Sequence, residues 1–243
     1  MTRQPAGGEG TPIARVDMAQ AREQNVDPPA ASRETLMLIP YELMYRLGFA
    51  PWERRPVLAT WQSVTEGPGA LPPGRALDVG CGTGRDAVYL AQRGWQVTAV
   101  DVADAAIARA RRRAADEGVQ VQWVAGDVSS LAGLGLEPGY TLVYDFGCIQ
   151  GLTDSARQEA AAGIAHLAAP GAKLLVAAFA PGRRVLLPRG MDQQDVIGLF
   201  GDTWDLEHAE SASDATAPRP VRRARPSLYR LTRKGQAGEP PGS

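Results

Sequence analysis

Lysine and histidine are nearly missing from this chain. Of 26 basic residues only Lys173 and Lys234 are lysines, and there are two histidines, His166 and His208. The arginine skew, with abundant alanine and glycine, follows base composition more than chemistry. Cysteine is as scarce: Cys81 and Cys148 are the whole complement, too few and too far apart for a disulfide scaffold or the usual structural zinc sites. With no Cys/His/acid cluster, no metal is expected. Net charge is missing too. A balance of −1 gives no broad positive field, so no dedicated nucleic-acid binder is expected. Every apolar stretch is broken by charge well before the ~18 residues that a membrane span needs. The first residues lack a hydrophobic segment, so no secretory signal is expected either. The balance of these absences points to a cytoplasmic, reduced protein.

At 243 residues the length suits one domain with tails. Residues 1–33 are rich in Gly, Pro, Gln, Ala and Glu, and read as a flexible tail; residues 235–243 read the same way. Residues 34–234 form the expected single domain. Within it, 34–74 are a helical cover: Leu36, Met37, Ile39, Leu43, Met44 and Leu47 fall at helical spacings. Pro40 interrupts that run, giving two short helices or one kinked one. Arg54 to Thr65 follows as another helix before the break GPGALPPG.

From Arg75 the pattern becomes regular. Short apolar runs (RALDVG, WQVTAVD, VQWVAGD, YTLVYDFG, AKLLVAAF) alternate with helices over Asp86–Arg93, Ala103–Glu117 and Asp154–Leu167. That rhythm predicts βαβ units and a parallel sheet covered on both faces. After a helix at Asp192–Phe200, WDLEHAES and SLYRLTR predict an antiparallel pair closing one sheet edge.

The chemistry is concentrated in Leu77-Asp78-Val79-Gly80-Cys81-Gly82-Thr83-Gly84. A strand ends in a glycine-rich turn and a helix starts at once, which lets a ligand approach the backbone near helix N-terminal amides. A dinucleotide fold wants GxGxxG, but this spacing is GxGxG and Arg85 stands where the third glycine belongs. Asp78 would repel a pyrophosphate and attract an ammonium. Asp101 ends the second strand, seventeen positions after Gly84, where a carboxylate can take two ribose hydroxyls. Asp127 ends the third, placed to accept from an adenine amino group. A ligand with an ammonium, a carboxylate and a nucleoside but no phosphate fits these residues, and S-adenosylmethionine is such a ligand.

The segment ALDVGCGTGRDAVYLAQRGWQVTAVDVADAAIARA resembles the cofactor half of the class I S-adenosylmethionine-dependent methyltransferases. The resemblance implies an α/β, Rossmann-like, seven-stranded and mostly parallel sheet with helices on both faces and the last strand antiparallel. It implies that Asp78, Gly80, Gly82 and Gly84 line the methionine end, Asp101 the ribose and Asp127 the adenine, with Cys81, Thr83, Val102 and Val128 also in the cofactor site. Asp145, ending the fourth strand, falls where the transferable methyl is presented, and the product is S-adenosylhomocysteine. MYRLGFAPWE followed by GCGTGRDAVYLA is similar, more narrowly, to small-molecule methyltransferases of the thiopurine and tellurite-resistance type. There a Pro-Trp segment covers the cofactor, so Trp52 would contact it while Tyr41 and Tyr45 wall the methyl-transfer site beside Asp145, Cys148 and Gln150. Many relatives carry D-x-x-x-x-H after the fourth strand. Here the run is Asp145-Phe146-Gly147-Cys148-Ile149-Gln150, and Gln150 cannot act as a base at neutral pH.

The expectation is therefore methyl transfer to an O, N or S atom of a small, aromatic or xenobiotic molecule, with no nucleic acid or membrane as partner. Without a base, acidic or already anionic acceptors are favoured, and Arg46 or the Arg222/Arg223 loop could neutralise one. Two alternatives stay open. One is a macromolecular methyltransferase, the other a protein that binds S-adenosylmethionine or S-adenosylhomocysteine without turnover.

Overall fold

The structure is a computed structural model and describes residues 38–47, 59–182, 188–211 and 224–235. Two helices come first, α1 (Leu38–Arg46) and α2 (Ala59–Thr65). Then β1 (Arg75–Val79), α3 (Arg85–Ala91), β2 (Gln96–Asp101), α4 (Asp104–Asp116) and β3 (Gln122–Ala125) alternate as the apolar runs predict. After a 3-10 segment at Val128–Gly133 come β4 (Tyr140–Phe146), α5 (Asp154–Leu167), β5 (Ala168–Phe179), α6 (Gln193–Phe200), β6 (Trp204–Ser211) and β7 (Pro226–Arg233).

The strands form one seven-stranded sheet in the order β3-β2-β1-β4-β5-β7-β6. The first five are parallel to one another, while β7 is antiparallel to both β5 and β6. The last strand thus lies inside the sheet and β6 forms the edge. Buried side chains pack against both faces. Leu77, Val79, Val143, Leu174 and Val176 belong to one cluster with α5 and α6 residues; Ala76, Ala99, Leu142, Tyr144 and Leu175 belong to the other with α3 residues. Strands sealed on both sides must be apolar throughout, which is why their runs were so continuous.

Local chemistry sets the helix limits. Ala106, Ile107, Ala110 and Ala114 give α4 a narrow buried stripe, leaving Arg111 and Arg112 outside. Thr153 caps α5, its hydroxyl accepting from Ala156 N at 3.4 Å. Asp192 and Asp195 cap α6 reciprocally, at 2.9 and 3.0 Å; each cap satisfies amides that the helix cannot. Pro40 does not split α1 within the described residues. It is the third residue of the helix, in the first turn, where an amide would have no partner to lose. No helix among the described residues is long and apolar enough to cross a membrane.

Candidate active site

The loop from β1 to α3 is built on reversed backbone. Gly80, Gly82 and Gly84 have φ of 72°, 55° and 73°, a region that side chains rarely adopt. Space forbids a side chain as well. A Cβ on Gly84 would meet the Trp123 ring and come 2.8 Å from the Cβ of Ala110, and one on Gly80 would overlap the Cβ and Sγ of Cys148. Gly84 therefore serves packing: it lets α3 start flush against α4 and β3. Gly80 and Cys81 both donate to Val100 O, at 2.8 and 3.0 Å, which ties the loop to β2.

Asp101 sits where the loop, β2 and α4 meet. It is 9% exposed, with Oδ2 accepting from Gly82 N and Oδ1 from Ala103 N, both at 2.8 Å. A carboxylate offers about four acceptor sites, which suits it to a ligand's hydroxyls as well as to the loop. Next to it Val102 is exposed, and 40% of it meets solvent. An acid paired with an uncovered apolar side chain suits a nucleoside, whose sugar needs the first and whose base covers the second. Asp78 is buried in β1. Asp127 lies two residues past the end of β3; exposed itself, it caps the 3-10 segment through Ser129 N at 2.9 Å. Val128 is buried, and so is Thr83, whose hydroxyl accepts from Arg113 of α4 at 3.1 Å.

One thiol registers how these acids gather. Burial, then Asp145, Asp101, Asp127 and Asp78 in that order, push the Cys148 thiol well above its ordinary range. Acids from four strand ends thus all act on this one thiol beside the glycine loop, although burial raises the pKa of Asp145 itself to about 7. Burial, Asp78 and Asp101 raise the Cys81 thiol likewise. Neither cysteine is set up as a nucleophile, since only the thiolate attacks.

The segment after β4 is clamped by a buried acid and a buried base. Asp145 is fully buried; its Oδ1 accepts from Cys148 N at 2.8 Å and Ile149 N at 3.3 Å, while its Oδ2 is sealed with no partner. Burial lifts its pKa from 3.8 to about 7, against the pull of the two amides and Arg157. Arg157 of α5 donates to the carbonyls of Ile149 (3.2 Å), Gln150 and Gly190 (3.2 Å). Gln150, 3% exposed, accepts at Oε1 from Phe179 N at 2.7 Å. Arg157 was not among the sequence candidates. Its signal was an arginine one turn before Ala160 and Ala161 on the buried stripe of α5.

Helix α1 docks on the same corner. Glu42 Oε2 accepts from Ala105 N at 3.2 Å, at the start of α4, and Tyr45 is buried against Ala103 and Ala106. Arg46 pairs with Glu42 at 2.8 Å and is largely in solvent. Tyr41 belongs to α1, but its side chain, like Trp52, Arg222 and Arg223, lies outside the described residues.

Residues 76–171 match a family model described as a methyltransferase domain. Among curated proteins, the chain is 32% identical over 145 residues to a 2-heptyl-1-hydroxyquinolin-4(1H)-one methyltransferase of Mycobacteroides abscessus, covering 57% of this chain and 62% of that one. It is 40% identical over 65 residues to ribosomal RNA small subunit methyltransferase C of Alcanivorax borkumensis, covering 27% of this chain but only 20% of that one. The chain thus spans less than two thirds of either. Among solved structures, a 1,6-didemethyltoxoflavin-N1-methyltransferase of Burkholderia thailandensis superposes with a TM-score of 0.67 at 22% identity, over 86% of this chain and 94% of that one. A TehB-like methyltransferase of Corynebacterium glutamicum superposes with a TM-score of 0.53 at 26% identity, over 68% and 83%.

Proposed function

We propose that this chain, whose residues 76–171 match a methyltransferase-domain model, is a class I S-adenosylmethionine-dependent methyltransferase that methylates an O, N or S atom of a small aromatic molecule. The observation that carries the reading is the buried Asp101 carboxylate, bonded to Gly82 N of the glycine loop and to Ala103 N, with the exposed Val102 beside it. The nucleoside of S-adenosylmethionine meets Asp101 with its ribose and covers Val102 with its base. S-adenosylmethionine supplies an already activated methyl group, so the residues of this chain have to align the acceptor and exclude water. Asp101 orients the ribose while holding the loop to α4, and α1, as part of a cover spanning 34–74, closes that corner. The catalytic unit on this reading is residues 34–234.

The small aromatic acceptor is supported by the quinolone and didemethyltoxoflavin methyltransferases, whose names describe ring heterocycles. The ribosomal RNA relative shares only 20% of its length, which lends a nucleic-acid substrate less support. Two free thiols beside the site accord with a reducing, cytoplasmic setting. The test is incubation with methyl-labelled S-adenosylmethionine and a panel of thiols, phenols, hydroxyquinolines and N-heterocycles. Labelled product from at least one of them is expected. Tight cofactor binding with no transfer to any acceptor, RNA included, would replace the enzyme with a binding protein.

A further inference from the structure

Gln150 stands where a histidine would serve as base, yet its surroundings are those of a fixed hydrogen-bond donor. The turn that carries it is held on two sides: Asp145 takes the amides of Cys148 and Ile149, and Arg157 takes the carbonyls of Ile149 and Gln150. The side chain is held as well. A backbone N–H needs an acceptor, so the 2.7 Å bond from Phe179 N fixes which end of the carboxamide is oxygen. The Nε2 group is thereby turned the other way, over Gly147. A Cβ at Gly147 would fall 2.8 Å from it, and Gly147 has φ +85°, so glycine is what leaves the nitrogen its place. The residue is 97% buried, given its 3% exposure, and no described residue accepts from Nε2. A donor held in one orientation, which finds no acceptor among the described residues, is a group that a ligand's oxygen can take up.

We propose that Gln150 Nε2 is the specificity-determining donor for the acceptor, and that the acceptor is an acidic aromatic hydroxyl bound as its anion. The proposal rests on the methyltransferase reading and narrows it. An amide can stabilise an oxyanion but cannot remove a proton, so the acceptor has to arrive ionised. The anionic oxygen then forms the new bond to the methyl carbon while the carbon–sulfur bond of the sulfonium breaks and its electron pair returns to sulfur. An anion and a cation give a neutral ether and a thioether, and no proton is left to place. A donor on one lone pair of the oxygen leaves another for attack, and it raises the fraction of acceptor that is ionised.

The probe is 4-nitrophenol, whose anion absorbs visibly, titrated into the protein saturated with S-adenosylhomocysteine. The expected result is a bound form that shows the anion band below the pH at which free 4-nitrophenol ionises. In Gln150→Met, binding of the anion should fall about tenfold or more, with the affinity for S-adenosylhomocysteine kept. Gln150→Leu is the second variant should the methionine disturb the turn. Gln150→His should extend turnover to phenols of weaker acidity, visible as a new limb in the pH profile. Equal anion affinity in wild type and both variants would overturn the proposal, as would absent binding of 4-nitrophenol to the loaded protein or equal binding of neutral phenols. Failure of S-adenosylhomocysteine itself to bind would overturn the underlying methyltransferase reading instead.

Discussion

Replacing Asp145 by asparagine isolates the cost of burying one charge. The carboxyl is sealed, with one oxygen on two amides and the other unpartnered, and burial lifts its pKa from 3.8 to about 7. Between those values the folded protein keeps a proton that the unfolded chain has released. Stability from this group is therefore complete below about pH 4 and is lost as pH rises through 7. At ~1.36 kcal/mol per pKa unit the full cost is about 4 kcal/mol, of which about 2.5 kcal/mol falls between pH 5 and pH 8. The carboxamide of Asp145→Asn keeps an oxygen for the Cys148 and Ile149 amides and places an NH2 where Oδ2 was. That unmatched donor adds a penalty of about 1–3 kcal/mol, but one that does not vary with pH. Urea unfolding of both proteins from pH 5 to 8 should show the variant gaining on wild type by about 2.5 kcal/mol across the range, whichever is the more stable at the start. Parallel curves would mean that the two amides and Arg157 match desolvation, and a variant that loses ground as pH rises would mean that they outweigh it; either refutes the burial argument.

Other perturbations bear on the site. Asp101→Ala removes the acceptor for Gly82 N and Ala103 N together with the expected ribose contact, so cofactor affinity measured by calorimetry should fall by about 1.5–3 kcal/mol, tenfold or more; unchanged affinity would sink the ribose assignment. Gly84→Ala combines a strained φ with overlap on Trp123 and Ala110, and thermal or urea unfolding should register a loss of about 2–5 kcal/mol. Cys81 and Cys148, their thiols raised by burial and acids, should react with iodoacetamide at pH 8 far more slowly than free cysteine. Rapid alkylation of the folded protein would contradict the gathering of acids around them.

How far the sequence could be read depended on which physical rule was at work. Strands buried on both faces have to be apolar without interruption, so β1, β2, β4 and β5 stood out as runs, and α5 was recognisable to the residue from Thr153 and its stripe. The glycines after β1 were equally visible. Their separate causes were not, because only packing shows that Gly84 faces Trp123 while Gly80 faces Cys148. Spacing placed Asp145 at a strand end. It could not show that the carboxyl folds onto the turn that follows, since this depends on where the next four residues go. Arg157 was hidden for the reverse reason: a buried arginine is explained by the carbonyls it reaches, and these come from sequence seven, eight and thirty-three positions away. Pro40 misled because proline disrupts a helix interior but not a first turn.

The place of β7 has a consequence for how the chain assembles during synthesis. Its residues pair with β5 on one side and β6 on the other, Lys173 with Thr232 and Trp204 with Arg233. Until residue 233 has left the ribosome, β5 shows an open hydrogen-bonding edge and β6 has no neighbour among the described strands. Closing the sheet also brings together residues some 59 positions apart, a slow contact by the usual relation between sequence separation and folding rate. The nascent protein therefore carries the complete glycine loop and all four acids well before its sheet can close. Until β7 arrives, the edge of β5 is open to pairing with another chain.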